Sequence, residues 1–337
     1  MDAEINVRKT VLHILDNNIN VPVLSSGELE MDGETCDFVE KMICRVLNDN
    51  NLKNARFAEE NNDVFAILKA ISRDGANFLE SSLQLADILF GIMVKHVDIP
   101  PADLVCCLFD FEGSSWFGFL KLNYKVGYTH FVMQDEGTNI NTIIKQRTLL
   151  PSEGQKIEEA CFINLGDLNI RLVEKEYEIN GEKEFYLSKV FMHCATDLSN
   201  NEKLKIIDKA AKKISKKYFD EDFDKTALLK KVTAESLEET KAIKVDSIAD
   251  RVFDKNIEIR NEYISEIQKS GLSENEVAIP EALAEKKFRT HRIKTDTGIE
   301  INFPLSCYND SDKIEFLNNP DGTVSIVIKN VAKITSR

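Results

Sequence analysis

Leu-Val-Cys-Cys-Leu-Phe at residues 104–109 and Trp-Phe-Gly-Phe-Leu-Lys-Leu at 116–122 decide how this chain is read, because both are short runs rich in β-branched and aromatic residues and a turn parts them. Similar runs follow at 130–134 and 140–147, each bounded by Gly, Asn, Asp or Glu, so the spacing predicts a largely antiparallel sheet. Further strands are expected at 160–164, 169–173 and 185–191. Between the last two, Asn180-Gly181 marks a hairpin turn, since both residue types tolerate positive φ.

Working toward the N-terminus, residues 5–15 and 19–24 read as a hairpin about the polar cluster at 16–18. Apolar residues at helical spacing then predict helices over 35–47, 63–71 and 77–94, the last stopped by Pro100-Pro101. Helices laid on a sheet give an α+β class, with a mixed α/β N-terminal region, a helical middle and a small C-terminal β-unit.

Toward the C-terminus, KLKIIDKAAKKISKKY at 203–218 separates its charges from its apolar residues. At about 100° per residue, Lys205, Lys209, Lys212, Lys213 and Lys216 fall in one sector, with Ile206, Ile207, Ala210, Ala211, Ile214 and Tyr218 roughly opposite. A basic amphipathic helix is expected, preceded by a capping cluster at Ser199-Asn200-Asn201. Helical spacing continues over 226–232, 236–240, 246–269 and 279–287. Short β-rich runs at 291–293, 299–303, 313–317 and 324–331 close the chain. The expected division is an acidic α/β domain at 1–198, a helical region at 199–285 and a β-rich unit at 286–337.

The formal charge of −14 is unevenly spread. Residues 1–198 hold 18 Lys and Arg against 32 Asp and Glu, whereas residues 199–337 hold 25 of each. All the excess acid therefore lies in the first part, and the lysines of the second part bunch. One bunch is the amphipathic helix; the other is Lys286, Lys287, Arg289, Arg292 and Lys294, a run without an acid. Local patches rather than net charge govern contact with phosphate.

No apolar run reaches the ~20 residues that span a bilayer, and the N-terminus lacks the pattern of a signal peptide, so a cytoplasmic protein is expected. Seven cysteines without a Cys-x-x-Cys pair fit reduced, mostly buried thiols.

The chemistry-bearing motifs are sparse. Neither GxxxxGK[ST] nor GxGxxG occurs, so the sequence holds no phosphate-cradling glycine loop. Asp296-Thr297-Gly298 resembles the carboxylate loop of an aspartic protease, yet one copy makes no dyad, and a hairpin turn accounts for it. The five histidines are scattered, and His193-Cys194 is the one close pair, more readily a strand end than a nucleophile. Trp116, with Phe117, Phe119 and Tyr124, could stack on bases, although alternating aromatics in a strand more often fill a core. No cofactor or metal site is expected.

The order of parts is similar to that of the bacterial nucleoid-associated protein family of the NdpA type. The likeness rests on Ile5-Asn6-Val7 with Val11-Leu12-His13-Ile14-Leu15, the helix from Phe78-Leu79 to Leu89, Glu184-Phe185-Tyr186-Leu187, Lys217-Tyr218-Phe219, and Gly298-Ile299-Glu300-Ile301-Asn302-Phe303-Pro304. Where family members often carry a basic turn after the Tyr-Leu strand, this chain runs Ser188-Lys189-Val190-Phe191-Met192-His193-Cys194. The resemblance implies nucleoid association and nucleic-acid binding without known catalysis.

Together these readings predict a non-enzymatic protein that binds DNA, or RNA, through lysines to the phosphate backbone with little base specificity, since lysine is a point charge without base-reading geometry. The alternative is a protein-interaction adaptor that uses the acidic first part, the lysine helix being only a solvated face. No membrane partner is expected, and self-association stays open.

Overall fold

The computed structural model describes residues 4–58, 62–135, 138–219, 228, 232–233, 235–237, 240–253, 256–280, 283, 290–304, 307 and 310–335. The fold is α+β, and the chain forms two compact units, Met1–Ser199 and Asn200–Arg337.

In chain order the first unit contains β1 (Asn6–Leu15), α1 (Gly33–Leu47), β2 (Lys53–Phe57), α2 (Asp63–Ala70), α3 (Phe78–Lys95), β3 (Ala102–Phe111), β4 (Ser114–Asn123), β5 (Lys125–Asp135) and β6 (Thr138–Leu149). Then come β7 (Glu159–Asn164), β8 (Ile170–Val173), β9 (Tyr177–Ile179), β10 (Glu182–Glu184), a π-helical turn at Leu187–Phe191, and β11 (Cys194–Thr196). Seven strands make one antiparallel sheet in the order β1-β3-β4-β7-β8-β2-β11.

Both faces of that sheet are covered. Leu104, Cys106 and Leu108 join Phe78, Leu85 and Leu89 of α3 in one core, while Val105, Cys107 and Phe109 join Val39, Met42 and Ile43 of α1 in the other. Residues 104–109 are therefore apolar without interruption, because alternate side chains of a strand point to opposite faces and here both faces are dry. Each fully buried Leu or Phe in these layers contributes roughly 1.5–3 kcal/mol. At the centre, Gly118 leaves room for its neighbours; a Cβ there would stand 2.8 Å from a ring carbon of Phe162.

The helix starts are set by side-chain caps. Asp32 accepts from Thr35 N at 2.8 Å to start α1, and Asn62 accepts from Phe65 N at 2.8 Å to start α2. Asn180 (φ 55°) and Gly181 (φ 86°) form the expected tight turn between β9 and β10.

Three local readings need correction. Residues 19–24 make no second strand of a hairpin: one bridge joins Val23 to Ile14, and with the Leu29 N to Thr10 O bond it blunts the outer edge of β1. Residues 185–191 are not a strand. Tyr186, Leu187 and Phe191 are buried there through a helical turn, which an apolar run of that length cannot be told from by periodicity. The runs at 130–134 and 140–147 are longer than expected and lie outside the main sheet, as the two-stranded pair β5–β6.

The second unit holds α4 (Asn200–Phe219), β12 (Ala242–Lys244), α5 (Val245–Phe253), α6 (Ile257–Lys269), β13 (Glu276–Ala278), and the hairpins β14 (Thr290–Lys294) with β15 (Glu300–Pro304) and β16 (Ile314–Asn318) with β17 (Val324–Ile328). The continuous helical spacing over 246–269 is broken into α5 and α6, because Asn256 turns out of the helix and accepts from Glu258 N and Ile259 N as a new N-cap. Most of the segments expected to be helical at 226–232 and 279–287 lies outside the described residues.

Candidate nucleic-acid interface

α4 is amphipathic as its spacing demands. Leu204, Ile207, Ala210 and Ile214 are buried, whereas Lys205, Lys209, Lys212, Lys213 and Lys216 are all exposed. The buried stripe faces α6, whose Ile259, Tyr263 and Ile267 are buried in turn. Phe219 at the end of α4 stacks on Phe253, with ring centroids 6.1 Å apart.

The packing of α4 on α6 brings carboxylates up to the basic face. Lys213 Nζ stands 2.7 Å from Glu266 Oε1, and Lys217 Nζ 2.7 Å from Glu262 Oε1, both acids on α6. Tyr218 donates its hydroxyl to Glu262 as well, and these two hydrogen bonds hold the Glu262 carboxyl below its usual range. Lys212 pairs with Asp208 one turn back at 2.7 Å, and Lys203 with Glu274 at 2.8 Å. Among the described residues, Lys205 and Lys209 have no carboxylate partner, so they are the uncompensated part of the face.

Lys286, Lys287 and Arg289 lie outside the described residues. Arg292 sits on β14 opposite Asn302 of β15, and the exposed Lys294 lies opposite Glu300, Nζ to Oε1 3.9 Å. Asp296-Thr297-Gly298 is the turn of this hairpin: Gly298 has φ 88° and Thr295 N bonds to Ile299 O at 2.9 Å.

Other candidates are absorbed by the core. Trp116 is buried with its indole N–H on Phe111 O at 3.2 Å, and Phe117 and Phe119 are buried too, so none offers a face to a base. His193 has φ 48° at a turn, and Cys194 pairs with Phe57 in the sheet; burial pushes its thiol up to about 12, away from the nucleophilic thiolate.

Sequence reasoning missed two buried ion pairs in the first unit. Lys121 and Glu159 are joined by Asn123, Tyr177 and Tyr186, and Lys53 meets Glu174 at 3.2 Å beneath the Phe185 ring, 3.9 Å from its centroid. The acids were visible in the sequence, but nothing local marked them as buried. A cleft of about 620 Å³ opens on the same unit, with Arg56 and Arg171 set against Glu112, Asp167 and Asp197. Arg171 is already held by Glu112 at 3.0 Å, so the cleft is acidic on balance and poorly suited to phosphate. Among the described residues, no group of three or more His, Cys, Asp or Glu could hold a metal ion, and no helix is long and apolar enough to cross a membrane.

A two-unit α+β protein whose acid is concentrated in one unit and whose exposed lysines gather on a helix of the other is the class these features define. The model of the family NA37, nucleoid-associated protein YejK, matches residues 11–335, nearly the whole chain, and the chain belongs to this bacterial nucleoid-associated family. No curated protein matches it.

Proposed function

We propose that the chain is a non-enzymatic DNA-binding protein of the bacterial nucleoid, working in the cytoplasm and contacting the phosphate backbone through the α4 lysines. The observation that supports this reading most is the exposed row on α4, in which Lys205 and Lys209 lack a carboxylate partner among the described residues. Lys212, Lys213 and Lys216 extend the row, and Arg292 and Lys294, with Lys286, Lys287 and Arg289 of the same run, supply a second set of cations.

Lysines without a bidentate fork fix position on a duplex rather than read bases, so binding is sequence-tolerant and RNA is bound by the same chemistry. Exposed ion pairs are weak, and a phosphate can replace Asp208 or Glu266, at a cost to affinity. The slope of log affinity against log salt is accordingly expected between about −2, for Lys205 and Lys209 alone, and about −4.5, for all five helix lysines.

A mobility shift at low salt with duplex and single-stranded probes, followed by a salt titration, tests the reading. Reversing Lys205 and Lys209 to Glu should abolish the shift at salt where the unaltered protein still binds. Retention of both affinity and slope in that variant removes α4 as the contact surface.

A further inference from the structure

The pair β5–β6 is an arm. It is inserted between β4 and β7, which pair directly with each other, so the main sheet closes without it. With 11 and 12 residues in its strands it is roughly 37 Å long. None of its residues belongs to either core.

What sets the arm apart is that both of its faces are apolar and bare. Cross-strand register places Tyr128, Val132 and Ile143 on one face and Phe131, Met133 and Ile140 on the other. Tyr128 is 69% exposed and Ile143 76%. A hairpin with one solvated face keeps that face polar, and an isolated two-stranded ribbon is marginal in water. Nine large apolar residues of the arm are exposed, and at roughly 100 Å² each they amount to about 900 Å². A stable protein interface buries ~800 Å² per partner, which the arm reaches when one face meets the partner's arm and the other face its groove.

The same unit carries a counterpart. Beside the root of the arm lies an apolar groove of about 320 Å³, lined by Leu12, Leu29, Phe38, Val39, Val105 and Leu150, and Leu150 is the residue that follows β6. Glu34 stands on its wall. Charge runs along the arm: Lys125, Lys145 and Arg147 stand toward its root, whereas the sequence joining its strands, Asp135-Glu136, is acidic, so two antiparallel copies set base against acid.

We propose that the arm is the dimerisation element of this protein. Two copies lie with their arms antiparallel, so that Met133 and Ile140, toward the far end of each arm, reach the groove at the root of the other. A projecting arm and a groove on one unit are self-complementary, which is what a two-fold interface requires. A nucleic acid is the poorer occupant, since nine large apolar side chains of the arm would meet phosphate with carbon, and the groove wall carries a carboxylate. The proposal is independent of the α4 reading.

Sedimentation equilibrium of the full chain tests it, together with Phe131→Glu/Ile143→Glu in the arm and Leu29→Glu in the groove. The unaltered protein should be a dimer at about 10 μM, and each variant should raise the dissociation constant about 100-fold or more. Mixing the arm variant with the groove variant should restore a weaker heterodimer, because one intact arm still meets one intact groove. Since the arm lies outside both cores, the arm variant should keep the far-ultraviolet circular dichroism of the parent. Should Leu29→Glu fail to fold, hydrogen exchange of the unaltered chain serves instead: amides of β6 should lose protection on dilution. A monomeric parent, an arm variant that dimerises normally, or arm protection that appears only on adding duplex DNA overturns the proposal.

Discussion

Lys121 and Glu159 are direct partners on β4 and β7, with Nζ 2.9 Å from Oε2 and both side chains fully buried. Two charges out of water are costly unless every remaining valence is met. Here Glu159 also accepts from Tyr177, at 2.7 Å, from Asn123, at 3.0 Å, and from Tyr186, while Lys121 donates to Asn123. Burial lowers the Lys121 ammonium pKa, and Glu159 opposes that shift. Removing one partner strands the other, so Lys121→Met or Glu159→Gln should cost about 3–5 kcal/mol in urea unfolding. The double replacement Lys121→Met/Glu159→Leu should lose much less than the sum. Additive losses in that cycle would show that the two groups do not act as a pair.

Tyr186 belongs to the Phe185-Tyr186-Leu187 stretch that carries the family likeness, and the network gives that stretch a physical role. Its hydroxyl donates to Glu159 and its ring lies 5.7 Å from that of Tyr177. Tyr186→Phe keeps the ring and removes one donor from a buried carboxylate, a loss of about 1–3 kcal/mol. Chemical denaturation measures it; the Tyr177→Phe variant, which also loses a hydrogen bond to Glu159, should behave alike.

His13 makes stability depend on pH. Its Nδ1 accepts from Ser25 N at 3.1 Å, which leaves the proton on Nε2, 3.1 Å from Ser82 Oγ. Burial lowers its pKa from the ordinary 6.5 to about 4. The unfolded chain therefore takes up this proton first as pH falls, so the stabilisation is complete above pH 6.5 and is lost progressively as pH falls toward 4. Its size, allowing for partial solvent screening, is on the order of 2 kcal/mol. The difference in unfolding free energy between the parent and His13→Gln, followed over that window, should shrink with acid; a constant difference would rule out this titration.

Much of this was legible because it is local. The α4 stripe follows from spacing, and the strands of 104–109 and 116–122 follow from residue type. What escaped depends on neighbours distant in the chain. The 185–191 run is a helical turn whose Tyr186, Leu187 and Phe191 are buried in a core built from strands and helices elsewhere in the chain. The arm strands are β-rich runs like those of the sheet, and only the direct pairing of β4 with β7 takes them out of it. The basic face of α4 reads as five lysines, yet Glu266, 53 residues from Lys213, neutralises part of it.

Those acids on α6 should tune the proposed contact with DNA. Glu262 and Glu266 hold Lys217 and Lys213 in exposed ion pairs, which contribute little to folding. Replacing both by Gln keeps the shape of α6 and frees two ammonium groups for phosphate. The Glu262→Gln/Glu266→Gln variant should bind duplex DNA more tightly at low salt, with a slope steeper by about one to two units. Its thermal midpoint should stay close to that of the parent. Tighter binding with an unchanged slope would place the effect outside phosphate contact, and unchanged binding would mean that Lys213 and Lys217 never meet the duplex.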